Sequence, residues 1–330
     1  MNVQRLGLAA LAFAALAQAA IAGPSGYHIV DRIAGPDGGW DYASYDPVSD
    51  RVFVARSKAV SAFDLKTRQV NGAFAPADRG HAALVAKGQL VVTNGTPGTV
   101  AFYNPETGVP IASVAVGLGP DYALVDPKSG LLLVMNHIGG DVVEVSLDDH
   151  LVKGRIAVGG ALEAAVVDGQ GRAYVNIEDK NQIAVIDLPG QKVVGRYDLK
   201  DCDGPTGLAF TGRDLVVACD GAAEIIRADT GALLARLKIG EGADGVAYDP
   251  VRKLAFIPSG HTGTLSIIKV AGRTSILFDT ISTAPSARTL TLDPATGRVF
   301  VPYAAYGPPA TPGGRPSLVP GSFNLLILTP

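Results

Sequence analysis

Apolar and polar residues alternate one for one along most of the chain, in short segments closed by Gly, Asn-Gly, Thr-Gly or Asp-Pro. DYASYDP at 41, RVFVARS at 51 and TVAFYNPETG at 99 are typical. Period two is the spacing of a strand with one buried face, and the closing residues are those that fix or tolerate turn geometry. After the first 22 residues no stretch carries a helical period of useful length. The pattern predicts an all-β chain of many short antiparallel strands.

The pattern also repeats. DYASYDP at 41, DYALVDP at 121, DGVAYDP at 244 and RTLTLDP at 288 share a polar residue, an apolar alternation and a closing Asp-Pro. HAALVAK at 81, EAAVVDG at 163 and TGLAFTG at 206 fill the same slot with the Asp-Pro lost or altered. The starts lie 40, 40, 42, 43, 38 and 44 residues apart, the period of a four-stranded propeller blade. This predicts a single domain over 23–330, a seven-bladed β-propeller of four-stranded antiparallel blades. The last repeat has only three strands, and YHIVDRIAG at 27–35 has the fourth-strand pattern. Pairing it beside the C-terminal strand would close blade seven and hide two sheet edges.

Composition agrees with a turn-rich chain. The 330 residues include 40 Gly and 22 Pro with 18% charged residues, which excludes a disordered tail, a coiled coil and a helix bundle. A net charge of −3 gives no electrostatic footprint for nucleic acid. Arg5, an uncharged Ala/Leu run and Ala20-Ile21-Ala22 read as a Sec-type signal peptide cleaved after Ala22, and so as a periplasmic or secreted protein. The apolar run falls short of the roughly 20 residues that span a bilayer, so no transmembrane segment is expected after cleavage.

The segments RAYVNIEDKNQIAVIDLPGQKVVGRYDL and LVVTNGTPGTVAFYNPETG resemble the repeat of YVTN-type (YncE-like) propellers, and the likeness extends over all seven repeats. It implies a seven-bladed propeller, often exported, with diverse roles. WD-repeat proteins match less well, because Trp40-Asp41 is the only Trp-Asp pair and precedes a first strand.

Motifs for phosphate, zinc-protease, haem or serine-hydrolase chemistry are absent from the sequence. Gly240 to Gly245 formally fits a dinucleotide fingerprint, but a strand follows it where a helix N-terminus is needed. Propeller geometry directs attention to the residue preceding each first strand, at one mouth of the central channel. That position reads Asp41, His81, Asp121, Glu163, Thr206, Asp244 and Arg288, and loops between second and third strands add Arg56, Asn94, His137, Glu178, Asp220 and His261 to the same face. Three readings stand: polar loop tips meeting water, a Ca²⁺ or Zn²⁺ site drawn from Asp121, Glu163, His81 and His137, or recognition of a protein or small ligand. Crowded carboxylates there should raise one another's pKa or recruit a cation.

Cys202 precedes the first strand of blade five and Cys219 ends its second, so an antiparallel turn brings them to one face. A disulfide is expected, with free thiols or metal ligation beside Asp203 and Asp220 as alternatives. The segment 303–322, rich in Pro and Gly, is far longer than the corresponding loops and reads as a lid or an excursion. The expected function is binding or scaffolding by a monomer through the acidic mouth. Its alternatives are a metal-dependent, lactonase-like hydrolase and a cofactor-free subunit of a periplasmic redox complex. Strong nucleic-acid binding is not expected, since that mouth repels phosphate.

Overall fold

The computed structural model describes residues 23–309, 311 and 316–330; the signal peptide read at 1–22 lies outside the described residues. Seven four-stranded antiparallel sheets are arranged as the blades of a β-propeller. Blades one to six are contiguous in sequence, at 40–76, 80–115, 120–157, 162–198, 208–238 and 247–282. Blade seven joins Thr291–Asp293, Arg298–Tyr303 and Asn324–Thr329 to His28–Ala34, the strand expected to close the ring. His28 pairs with Thr329 and Ala34 with Asn324. Among the described residues helix is confined to two three-residue 3₁₀ turns.

The alternating pattern sends each strand's apolar side chains into a neighbouring blade, so the core is divided into clusters between blades. One such cluster joins Leu90 and Val92 of blade two to Phe53 and Val60 of blade one, and another joins Phe300 and Leu325 of blade seven to Val54 and Phe63 of blade one. The Asp-Pro repeats have a second use besides punctuation. Asp46, Asp126, Asp249 and Asp293 are buried, and each accepts backbone N–H bonds from the turn that follows it, as Asp46 does from Val48 and Ser49. The aspartate therefore satisfies turn donors that the sharp corner would leave without partners.

The inner strands are not equal. Those of blades one to four run six or seven residues and include the mouth position, whereas Leu208–Phe210, Ala247–Asp249 and Thr291–Asp293 are three residues long and start after it. Gly207 and Gly245 explain part of the difference, since they pack where a Cβ on Gly207 would come within 2.7 Å of the Gly245 backbone, and glycine weakens a strand interior.

Cys202 and Cys219 form a disulfide, with Cα atoms 5.1 Å apart. The 303–322 segment has secondary structure of its own: Tyr306–Pro309 pairs antiparallel with Pro316–Leu318. Asp37 secures its return, accepting a hydrogen bond of 2.6 Å from the Gly321 amide.

Candidate functional site

In blades one to four the mouth residues sit on irregularities in their own strands. Register with the second strand shifts between Trp40 and Ala43, Gly80 and Ala83, Pro120 and Ala123, and Leu162 and Ala165. A bulge leaves a residue unpaired and re-aims its side chain, which is how Asp41, His81, Asp121 and Glu163 come to share one opening. Threonines from adjoining blades hold the backbone in place. Thr289 Oγ1 donates to the Asp41 carbonyl at 2.8 Å; Thr93 Oγ1 donates to the Asp121 carbonyl at 2.7 Å and accepts from the Ala82 amide at 2.8 Å.

The side chains then meet across blades. His81 Nδ1 lies 2.7 Å from Asp41 Oδ2 and 3.6 Å from Asp121 Oδ2. His137, carried on the loop between the second and third strands of blade three, places Nδ1 2.9 Å from Glu163 Oε1. This second contact is one of charge rather than of aligned hydrogen bonding: the shielded nitrogen has no partner in hydrogen-bond geometry. Ligand atoms of Asp41, His81 and Asp121 lie within 4.8 Å of one another, as do those of Asp121, His137 and Glu163. Asp121 belongs to both groups.

Burial, followed by the charges of Asp41 and Glu163, holds the Asp121 carboxyl well above the usual carboxylate range. Asp244 is pushed up to about 7, first by burial and then by Asp41, against the pull of Arg288. Burial alone would lower His81, but its hydrogen bond to Asp41 and the charges of Asp121 and Asp41 outweigh it and raise the pKa. The Glu163 contact lifts His137 to about 9. When protonated, either imidazole is a counter-ion to the carboxylates beside it.

Beneath the ring the channel is floored. The Tyr42 and Tyr122 rings meet edge to face with centroids 4.9 Å apart, and the Tyr42 hydroxyl donates to Glu163 Oε2 at 3.4 Å. A cavity of about 60 Å³ remains at these rings, and a second of about 390 Å³, also lined by both tyrosines, extends along Ser44, Leu84 and Leu124. The mouth is a cup. Both tyrosines follow a mouth residue at a position where the other blades carry Ala82, Ala164, Gly207, Gly245 and Thr289; that contrast was available in the sequence and was missed.

Asp244, Arg288 and His261 form a different region. They line a cavity of about 720 Å³ between blades six and seven, walled on its outer side by Tyr306 and Pro316 of the hairpin. Arg288 Nε donates to Asp244 Oδ2 at 2.7 Å and a terminal nitrogen donates to the Trp40 carbonyl at 3.0 Å. His261 is exposed at the rim and belongs to neither histidine–carboxylate group. Gly242, with φ +73°, makes room for it, since a Cβ there would lie 2.6 Å from His261 Cγ.

Several residues expected on this face are structural. Arg56 is buried, donates to the carbonyls of Pro36, Gly38 and Gly39, and lies 4.0 Å over the Phe323 ring. Asn94 is buried and accepts from the Asp78 amide, and the hydroxyl of Thr206 donates to the Ala243 carbonyl. Asp220 accepts from the Gly242 amide. Glu178 remains close enough to Glu163 and His137 for their charges to act on it.

No protein-family model and no curated protein sequence matches the chain. Solved structures do. A chain of a mitotic checkpoint complex superposes with a TM-score of 0.73 at 14% identity, covering 100% of this chain and 99% of that one. A chain of Kuenenia stuttgartiensis hydrazine synthase superposes at 0.68 with 16% identity, covering 86% of this chain and 95% of that one. At such identities the likeness is one of fold, and it establishes the chain as a seven-bladed β-propeller.

Proposed function

We propose that the chain is an exported YVTN-type propeller that binds a ligand at its channel-mouth face and acts as a binding or scaffold protein. The observation that carries this is the cavity of about 720 Å³ beside the charged cup. Its size falls in the range of about 300–1,000 Å³ typical of small-ligand sites, and it combines apolar walls with the paired charges of Asp244 and Arg288. The ligand, a small molecule or a segment of a partner protein, would lay an apolar body against Tyr306 and Pro316 and a polar group against that pair. The checkpoint-complex propeller is a precedent for this fold in a protein assembly. No helix among the described residues is long and apolar enough to cross a membrane.

The test exposes purified protein to periplasmic extract and identifies what it retains by mass spectrometry, beside Tyr306→Ala and Arg288→Ala. A component retained by the wild type and lost in both variants supports the reading; equal retention by all three rejects it. Single-stranded DNA at physiological salt should bind no better than micromolar. The hydrolase alternative is favoured by one observation, the two histidine–carboxylate groups sharing Asp121. Metal-dependent turnover across a panel of lactones, lost in Glu163→Gln, would establish it.

A further inference from the structure

We propose that Asp41, His81, Asp121, His137 and Glu163 form a two-metal centre for zinc-class divalent ions, bridged by the Asp121 carboxylate. The cavity beside Arg288 has no part in it, so the centre stands or falls separately from ligand binding there.

Each group supplies one imidazole nitrogen and two carboxylates, and the two groups share one carboxylate. Mixed nitrogen and oxygen donors suit zinc, whereas Ca²⁺ takes six to eight oxygens. Metal–ligand bonds of about 2.0–2.2 Å in a tetrahedron set donors roughly 3.3–3.6 Å apart. The His81–Asp41, His81–Asp121 and His137–Glu163 separations of 2.7, 3.6 and 2.9 Å lie within an ångström of that spacing, and no other pair in either group is more than 4.8 Å apart. A carboxylate common to both groups is the element that would hold two ions about 3.5–4 Å apart.

One shielded atom in the cluster, His137 Nδ1, has no aligned hydrogen bond although Glu163 Oε1 lies 2.9 Å away. The Asp121 side chain is 13% exposed, and the nearest cationic atom among the described residues, His81 Nδ1, is 3.6 Å away. An ion in each group would give His137 Nδ1 an aligned partner and Asp121 a nearer positive charge. The surroundings already orient the donors. The Nε2 edge of His81 packs on Gly95, where a Cβ would stand 3.1 Å from it, leaving Nδ1 as the nitrogen facing the carboxylates. Tyr42 donates to Glu163 Oε2 and leaves Oε1 to the His137 side, while Thr93 and Thr289 fix the backbone of the flanking aspartates. Three protein donors per ion leave a position open to the cup.

The experiment is calorimetric titration of ZnCl₂ into full-length mature protein first dialysed against chelator. Two equivalents per chain are expected; zero or one overturns the proposal. His81→Ala and His137→Ala should each reduce binding to one equivalent, and Asp121→Asn should weaken both sites more than tenfold, with His150→Ala unchanged. Two full-affinity equivalents retained in any of these three site variants overturn it, as does a site that takes Ca²⁺ in preference to Zn²⁺. A readout free of variants is the ¹⁵N imidazole spectrum of the wild type. Zn²⁺ should move the Nδ1 resonances of His81 and His137 and leave those of His28, His150 and His261 in place; the reverse pattern is fatal to the assignment.

Discussion

Blades one to four and blades five to seven present the same slot to the same channel, yet they build its mouth by different means. In the first arc the mouth residue lies within a long inner strand, on a bulge, and its side chain joins a neighbour's. In the second the inner strand is three residues long and the mouth position lies outside it. There the structure is held by the Cys202–Cys219 bridge, the Thr206 hydroxyl and the Arg288–Asp244 pair. The first arc is filled with interlocking charges, and the second leaves a cavity. An inner strand that runs on through the mouth position concentrates polar groups at one place, and an interrupted one, rejoined in blade six only by the Ala243–Ser259 bridge, makes room.

The largest expected effect breaks the second arc at its covalent support. Cys219→Ala removes a bridge across a sequence separation of 17 residues. The loss of stability should be about 3 kcal/mol by the chain-entropy account, read from thermal or denaturant unfolding. Hydrogen exchange should accelerate more at 206–210 than at 121–125; equal acceleration would mean that the two arcs are one cooperative unit. Next, Thr93→Val withdraws a buried hydroxyl that both accepts from Ala82 and donates to Asp121, at a cost of about 2 kcal/mol in chemical denaturation. Thr206→Val, which forfeits the single side-chain bond to Ala243, should cost about 1 kcal/mol.

The remaining effect is one of pH. The folded pKa of Asp244 is raised to about 7 by burial. Between about pH 4 and pH 7 the folded chain therefore keeps a proton that the unfolded chain has released, so this group's contribution is full at low pH and declines as pH rises through that window. Asp244→Asn abolishes the titration. The wild-type melting temperature minus that of the variant should fall from pH 4 to 7 and level off above; a flat difference would place Asp244 among ordinary carboxylates.

The fold was legible because its determinants are local and recur. Asp46, Asp126, Asp249 and Asp293 mark turns by their own chemistry, and alternation fixes which face of a strand is buried. Even the closing strand at 28–34 was readable, as the missing fourth strand of the last repeat. The site was legible only to the level of a ring of positions. That His81 contacts Asp41 and Asp121, and that His137 reaches Glu163, depends on bulges that no single blade's sequence specifies. Arg56 misled for a related reason: its partners, Pro36, Gly38 and the Phe323 ring, come from both ends of the chain, and only ring closure brings them together.

That closure has a mechanical consequence. His28–Ala34 runs antiparallel to Asn324–Thr329, so the first residue of one strand faces the last residue of the other. Tension applied through the two flanking ends of the chain would first meet Ser25, whose amide and hydroxyl donate to Asp279, and the buried Tyr27. Past that anchor it would load the ladder from its His28–Thr329 end one pair at a time, unzipping the ring rather than shearing it. A circle held by apolar packing between every pair of neighbouring blades would then yield to traction at one seam.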